Sequence, residues 1–300
     1  MLRFSDLPLP LQDSAVSDVG LLHDPDEEEA KDRQFVTALA RGLEVLRAFT
    51  PHTPLLGNRE LAARTGLPKP TISRLTHTLT RLGYLKYSER LGKYQLGTGV
   101  LSLGYAALSS MNARQLARPL MQEMADEVNA MVSLGTRDRL SMVYVEHCRS
   151  NSAVTVRLDV GSRIPLATTA MGRALLAALP ELEQRVMMER IARQDPDQWP
   201  RLRAGIEQAL EEYRTYGFTL SIGEWTSDVN AVGVALIPPD GGQILAFNCG
   251  GPASQLPRER LMGELGPRLV NLVRGVEESL QHRCEAQPGA RLHGQGEGGA

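Results

Sequence analysis

Residues 58–96 contain two short helical patterns followed by two strand patterns, and turn residues separate all four. Asn58 stands where an N-cap is expected, before a helix over residues 59–65, and Gly66 follows as a turn residue that tolerates positive φ. The second helical pattern covers residues 67–82. Two short helices joined by a tight turn are typical of a helix-turn-helix. On the second helix the large apolar side chains fall on one stripe: Ile72, Leu75, Leu79 and Leu82.

The outward face of the second helix carries polar and basic side chains, which predicts contact with DNA. In a helix-turn-helix the second helix enters the major groove, with its N-terminal half nearest the bases. We therefore expect Ser73, Arg74 and His77 to reach base edges. Residues 84–87 and 93–96 predict the strands of a hairpin wing around the turn 88–92. Phosphate contacts are expected from a second set of side chains: Lys69, Thr71, Arg81, Arg90 and Lys93.

Charge is distributed unevenly along the 300 residues, although the net charge is only −2. Residues 1–30 contain one Lys or Arg against eight Asp or Glu, which gives −7. Residues 31–97 contain twelve against four, which gives +8, and residues 98–300 contain twenty against twenty-three, which gives −3. A basic segment within an acidic chain is the electrostatic footprint of a nucleic-acid-binding module.

A further amphipathic helix is predicted over residues 36–49, because Leu39, Leu43 and Leu46 recur at helical spacing. Thr50 and Pro51 end it, since proline cannot continue a helix. The order of helix, capped helix, glycine turn, basic helix and hairpin therefore lies inside the basic segment. This agreement between local pattern and charge favours a DNA-binding module over a merely solvated basic surface.

Residues 58–97, NRELAARTGLPKPTISRLTHTLTRLGYLKYSERLGKYQLG, resemble the DNA-binding domain of the IclR family of transcriptional regulators. That family shows an LPKxTxxRL-type recognition helix, followed by GYL and a short wing that ends in YxLG. Each of these elements is present in the sequence. The resemblance implies a winged helix-turn-helix that binds a double-stranded DNA operator.

The remaining sequence indicates an α+β domain with an antiparallel sheet over residues 114–283. The winged helix-turn-helix is expected over residues 33–97, and a linker helix over 98–113 favours packing against a second copy. The acidic residues 1–32 and the Gly-rich residues 284–300 are expected to be disordered. Strands are predicted over 131–134, 142–145 and 154–158, with a hairpin of 229–237 and 243–248; helices are predicted over 167–178, 182–191, 202–217 and 260–282.

The resemblance to the IclR family extends over residues 36–282, because GSRIPL at 161–166 and TAMGRALLA at 169–177 match its effector-domain signature. It implies a GAF-like sensor fold, a dimeric or tetrameric assembly, and control by a small organic ligand. In the family the ligand lies between the sheet and the start of the helix that matches 169–178. The expected ligand-binding residues, with Trp225 closing over the ligand, are Thr168, Thr169, Ala170, Met171, Ser221, Trp225, Ala231, Asn248 and Gly250.

The start of a helix favours an anionic group, so a carboxylate effector is expected. The family commonly has an acidic pair where this chain has Thr219–Ile222, and a Cys-containing core strand where it has 231–233. The missing acids argue against a cationic ligand. Two alternatives stay open: Met171 and Asn248 only fill an ordinary core, or the C-terminal domain is purely dimerising and binds no ligand.

The sequence gives little support for an enzyme. It contains no GxSxG, Walker A, HExxH or CxxC motif, and its three scattered cysteines predict neither a disulfide framework nor a zinc site. Glu146, His147 and Cys148 form the single acid–base–thiol cluster, but on a strand His147 faces away from its neighbours. No cofactor is expected. The chain has no membrane-spanning run and an acidic N-terminus unlike a signal peptide, which predicts a cytoplasmic protein.

Overall fold

The computed structural model describes residues 34–150 and 158–286, which form two compact units that divide between Ser110 and Met111. The expectations for residues 1–33, 154–157 and 287–300 lie outside the described residues. The first unit contains α1 (Thr37–Arg47), α2 (Asn58–Thr65), α3 (Lys69–Arg81), β1 (Leu85–Ser88), β2 (Lys93–Leu96) and α4 (Thr98–Ser109). This order confirms a winged helix-turn-helix.

Helix α2 begins differently from the prediction, because Gly57 is its N-cap and Asn58 its first helical residue. The Glu60 carboxylate, in the first turn, accepts a hydrogen bond from the N–H of the N-cap residue Gly57 at 2.6 Å. Gly66 ends the helix at φ +68°, the left-handed conformation that favours glycine. This turn sets the direction in which α3 leaves.

Two apolar stripes predicted from the sequence point partly to solvent. In α1 the interior face consists of Gly42 and Val45, whereas Leu39 and Leu43 are 62% and 51% exposed. In α3 the fully buried positions are Ile72 and Thr76, while Leu82 caps the helix and is 64% exposed. The core of this unit is made by seven residues: Val45, Ala48, Phe49, Leu56, Leu61, Ile72 and Leu85.

The second unit is built on a six-stranded antiparallel sheet in the order β5-β4-β3-β8-β7-β6. Its strands are β3 (Met131–Asp138), β4 (Ser141–Arg149), β5 (Arg163–Pro165), β6 (Thr219–Ile222), β7 (Val229–Leu236) and β8 (Leu245–Pro252). The short strand β5 was not predicted. The expected β7–β8 hairpin is confirmed, with Val229 opposite Pro252 and Leu236 opposite Leu245.

Helices cover this sheet: α5 (Asn112–Val128), α6 (Ala170–Ala178), α7 (Glu181–Gln194), α8 (Trp199–Tyr216), the short α9 (Arg258–Arg260), a π-helical turn (Leu261–Leu265) and α10 (Gly266–Ala286). Helices α5 and α10 pack on the sheet and on each other, and α6 packs on the sheet with α8 behind it. Helix α10 runs to Ala286, so residues 284–286, which were expected to be disordered, are helical.

The start of α6 lies directly on β7. A Cβ atom at Gly233 would collide with the Ala170 carbonyl oxygen, so only glycine allows this approach. The Thr219 hydroxyl of β6 donates to the same carbonyl at 2.7 Å. The sheet, the start of α6 and the β6–β7 loop therefore meet at one place.

Candidate functional site

The outward face of α3 presents polar and basic side chains that are free of ion pairs. Lys69, Ser73, Arg74, His77 and Arg81 are all exposed. Across residues 34–150 and 158–286, no ion pair or side-chain hydrogen bond holds any of these five. Thr71, predicted with them, is half-buried. The face can therefore meet an anionic surface without first breaking internal contacts.

Packing against α2 and α1 holds α3 in place. Ile72 and Thr76 are fully buried, and the Thr76 hydroxyl approaches the Asn58 amide oxygen at 3.4 Å. Gly42 of α1 faces Leu75 across the interface. One side of α3 is thus fixed by the core while the other stays open.

The two cations predicted in the wing, Arg90 and Lys93, lie in different environments. Arg90 is exposed in the turn between β1 and β2. Lys93 is half-buried and forms an ion pair with Glu60 at 2.8 Å, which ties the wing to the start of α2. The Gly57 N–H and then Lys93 hold the pKa of Glu60 below its usual value. Arg90 is therefore the better placed of the two for a phosphate contact.

A small cavity lies between the sheet, the start of α6 and the β6–β7 loop. Seven of the nine predicted ligand residues line it: Thr169, Ala170, Ser221, Trp225, Ala231, Asn248 and Gly250. Six more were not predicted: Met131, Tyr144, His147, Leu158, Ile164 and Val229.

Thr168 and Met171, the other two predicted residues, are not in the cavity lining. The Thr168 carbonyl accepts a hydrogen bond from the Ser221 hydroxyl at 2.8 Å. Met171 is fully buried, with its sulfur against Gly135 of β3. Met171 thus packs the core, as one of the alternatives allowed.

The hydroxyl groups at the start of α6 already have partners. Thr169 caps the helix by accepting from the Gly172 N–H at 3.2 Å, and donates to the Pro165 carbonyl at 2.7 Å. Three other lining residues have buried polar atoms without a hydrogen-bond partner among the described residues: His147 Nε2, Trp225 Nε1 and Asn248 Oδ1. No Lys, Arg, Asp or Glu lines the described cavity. A ligand would therefore meet an apolar surface with a few neutral polar groups.

The loop that carries Trp225 is held by a buried arginine. Arg173 of α6 is 3% exposed and forms a two-pronged ion pair with Glu224, one contact at 2.6 Å. Its Nε also donates to the Ala167 carbonyl at 2.8 Å. This pair fixes the loop against α6 and so positions Trp225 at the cavity.

The acid–base–thiol cluster on β4 is divided between the two faces of the sheet. Glu146 is 2% exposed and pairs with Arg114 and Arg118 of α5. Cys148 lies on the same side, where its sulfur approaches the Arg118 carbonyl at 3.8 Å and burial raises its pKa to about 11. His147 lines the cavity instead. Neighbouring residues therefore form no Cys–His pair, as the strand alternation predicted.

Two family models match the chain: the IclR helix-turn-helix domain over residues 38–89, and the bacterial transcriptional regulator IclR C-terminal domain over residues 105–277. The chain belongs to the IclR family. The IclR models thus cover both units, and this α+β architecture matches that of solved IclR structures. It is a DNA-binding transcriptional regulator, as the resemblance implied.

Similar proteins agree with this assignment. The chain is 36% identical to the HTH-type transcriptional regulator TsaQ1/TsaQ2 of Comamonas testosteroni, over 86% of this chain and 93% of that protein. It is 51% identical to the structure of an IclR family transcriptional regulator from Brucella abortus, with a TM-score of 0.79, over 86% of this chain and 97% of the other. An IclR homolog from Microbacterium hydrocarbonoxydans, complexed with 4-hydroxybenzoate, has the same fold at 22% identity, a TM-score of 0.63, and 82% and 100% coverage.

Two features are absent from residues 34–150 and 158–286. No helix there is long and apolar enough to cross a membrane. No group of three or more His, Cys, Asp or Glu side chains there is arranged to hold a metal ion.

Proposed function

We propose that this IclR-family regulator binds a palindromic operator as a homo-oligomer in the cytoplasm, and that a small organic acid bound in the cavity controls operator binding. The cavity beside α6 carries the proposal, because it combines apolar walls with unpartnered polar atoms. Ligand sites in proteins share this character.

The DNA contacts are assigned to the exposed face of α3 and to the wing. Ser73, Arg74 and His77 lie on the exposed side, where a recognition helix meets base edges. Lys69, Thr71, Arg81 and Arg90 are assigned to phosphates. Lys93 joins them only indirectly, since its ammonium group is engaged by Glu60.

An acid is favoured as the effector because the described cavity lining includes no carboxylate that would select a cation. The start of α6 adds a partial positive charge from its backbone dipoles. The relative from Microbacterium hydrocarbonoxydans, solved with 4-hydroxybenzoate, binds an aromatic acid of the same class. We therefore assign this chain a small aromatic or aliphatic carboxylate.

The test combines ligand binding with operator release. The full chain is screened by thermal shift against benzoate, 4-hydroxybenzoate, phenylacetate and short aliphatic acids, since a ligand of the folded state raises its stability. A duplex selected from a random library then reports operator release by fluorescence anisotropy. At least one acid should stabilise the protein and change its DNA affinity.

Variants locate the acid in the cavity. Asn248→Leu should weaken the response because it removes an unpartnered polar group of the lining, and Thr169→Val should weaken it by removing the cap of α6 beside the cavity. Asn271→Leu and Thr215→Val make the same exchanges at exposed positions and should leave it unchanged. If no acid stabilises the wild type, the C-terminal unit is a ligand-free dimerising domain; if both cavity variants fold and respond normally, the ligand binds elsewhere.

A further inference from the structure

His147 reaches the cavity through an irregularity in β4. The β3–β4 register shifts between Leu134 and Gly135, which pair with Glu146 and Tyr144. The extra residue on β4 places Tyr144 and His147, three positions apart, on the same face of the sheet. Their rings stack with centroids 6.0 Å apart and an interplanar angle of 10°. Both rings line the cavity.

Two separate hydrogen bonds join these rings to β3 and β8. Ser133 of β3 lies opposite His147 on one side and opposite Asn248 of β8 on the other. The Asn248 side-chain N–H donates to the Tyr144 hydroxyl at 3.4 Å. The Ser133 hydroxyl lies 2.8 Å from Nδ1 of His147.

The direction of these bonds determines where the imidazole carries its proton. Since the Asn248 N–H can only donate, the Tyr144 oxygen accepts that bond. The Ser133 hydroxyl can donate to Nδ1, and a neutral imidazole whose Nδ1 accepts has its proton on Nε2. Burial lowers the pKa of His147, with Arg149 acting in the same direction and Asp159 and Glu146 opposing, so the ring is neutral at pH 7.

Nε2 of His147 is buried and has no partner within the part of the chain that the structure describes. Trp225 Nε1 is a second buried donor without a partner among the described residues, and Asn248 Oδ1 is a buried acceptor without one. A buried N–H without a partner is costly, and a ligand acceptor would remove that cost.

We propose that His147, held in its Nε2–H form by a hydrogen bond from Ser133, is the specificity-determining donor that binds the carboxylate of the effector. This assignment rests on the proposed function and adds to it the group that selects the acid. Among the described lining residues, the groups that meet the carboxylate are the neutral N–H donors of His147 and Trp225, and none is a Lys or Arg. The Asn248 oxygen selects a ligand that also carries a donor, such as a hydroxyl.

Two ligands that share an aromatic ring distinguish hydrogen bonding to the carboxylate from packing around the ring. Benzoate supplies ring and carboxylate, and toluene supplies the ring alone. His147→Leu should weaken benzoate binding about 10- to 100-fold, the range for a lost hydrogen bond to a charged group. It should leave toluene binding within about twofold. His147→Gln retains an N–H donor and should restore most of the benzoate affinity.

The tautomer is measured without any ligand. Long-range ¹H–¹⁵N spectra of ¹⁵N-histidine-labelled protein, assigned with His147→Gln, should show a neutral Nε2–H ring at pH 7. Ser133→Ala should shift that ring toward a mixture of tautomers. A charged ring, or one protonated on Nδ1, would overturn the proposal.

The binding results distinguish the two proposals. If wild type binds an acid but His147→Leu binds benzoate with unchanged affinity, or loses benzoate and toluene equally, the role of His147 is overturned and the proposed function stands. If wild type binds no acid of the panel, the proposed effector class fails, and the role of His147 fails with it.

Discussion

At the residue scale, Arg74 and Arg90 are two exposed arginines in different settings, one on the outward face of α3 and one in the wing turn. Arg74→Ala should cost about 1–3 kcal/mol of operator binding and relax the preference for one base, as expected for a base contact. Arg90→Ala should weaken all duplexes similarly and reduce the slope of log K against log salt by about one per subunit. Anisotropy titrations with selected and scrambled duplexes measure both effects.

Lys93→Ala is the control for these variants, because the Lys93 ammonium group is already paired with the Glu60 carboxylate. Lys93→Ala should change the salt slope less than Arg90→Ala does. Equal slopes for the two wing variants, or an equal loss of base preference in Arg74→Ala and Arg90→Ala, would show that the contacts are assigned wrongly.

The three cysteines should differ sharply in reactivity. Burial raises the pKa of Cys148 to about 11 and that of Cys249 to about 12, whereas Cys284 is exposed. Because the thiolate is the reactive form, the two buried thiols should be inert at pH 8. Titration with a thiol-specific disulfide reagent should find one fast thiol in the folded protein and three in denaturant. Cys284→Ser should abolish the fast reaction; a second fast thiol in that variant would contradict the burial.

The sequence predicts the site residues whose positions follow from local helical periodicity. It does not predict those whose positions depend on pairing between distant strands. Arg74 and His77 follow from helical periodicity alone, and the structure exposes both. His147 was passed over because alternation along a regular strand does not reveal a bulge, which depends on pairing with β3. Met171 matched the family motif but packs on Gly135, a neighbour 36 positions away in sequence.

At the element scale, the helices and the two hairpins were recognised because capping, turns and periodicity are local properties. Their buried faces differed where a partner element decided them: α1 buries Gly42 and Val45, whereas Leu39 and Leu43 point to solvent. Strand β5 has three residues, too few for a pattern, and pairs with β4 through contacts that the sequence does not display. Short strands and buried faces therefore needed the tertiary structure.

The Arg173–Glu224 pair joins two elements, α6 and the β6–β7 loop, and offers a prediction about both. Glu224→Gln leaves the buried Arg173 without its countercharge, a change that costs about 3–5 kcal/mol when both partners are buried. Since Glu224 is 37% exposed, we expect a smaller loss of about 2 kcal/mol in the free energy of unfolding. Urea denaturation measures this loss.

The same variant should loosen the loop. In a Trp199→Phe background, Trp225 is the single tryptophan, and its quenching by acrylamide should increase in Glu224→Gln. Glu207→Gln is the matched control, because it breaks an exposed pair with Arg203 and should cost at most about 0.5 kcal/mol. If the two variants behave alike in both measurements, the Arg173–Glu224 pair does not hold the loop.

At the scale of the whole molecule, α4 presents large apolar side chains to solvent. Leu101 and Tyr105 are 73% and 71% exposed, and no residue of α4 is buried. Apolar surface of this kind favours association, and we expect a second copy of the chain to cover it. Leu101→Glu and Tyr105→Glu should shift the protein toward monomers in light scattering and weaken operator binding, because a palindromic site requires two recognition helices. Ser102→Glu adds the same charge to the same helix and should leave the assembly intact; equal dissociation would implicate charge alone.

The opposite charges of residues 1–30 and residues 31–97 predict that the acidic segment weakens DNA binding. Residues 1–30 carry −7 and residues 31–97 carry +8, so the acidic segment can compete with phosphate for the basic unit. Deleting residues 1–30 should raise DNA affinity about three- to tenfold at 50 mM salt, and the gain should shrink as salt screens the interaction.

A full-length variant with Asp24→Asn, Asp26→Asn, Glu27→Gln, Glu28→Gln and Glu29→Gln keeps the length while removing five charges. Its affinity should rise in the same direction, with an unchanged melting temperature. A neutralised variant that binds like wild type would exclude the electrostatic cause, and a truncated chain that no longer folds would show that residues 1–30 are structural.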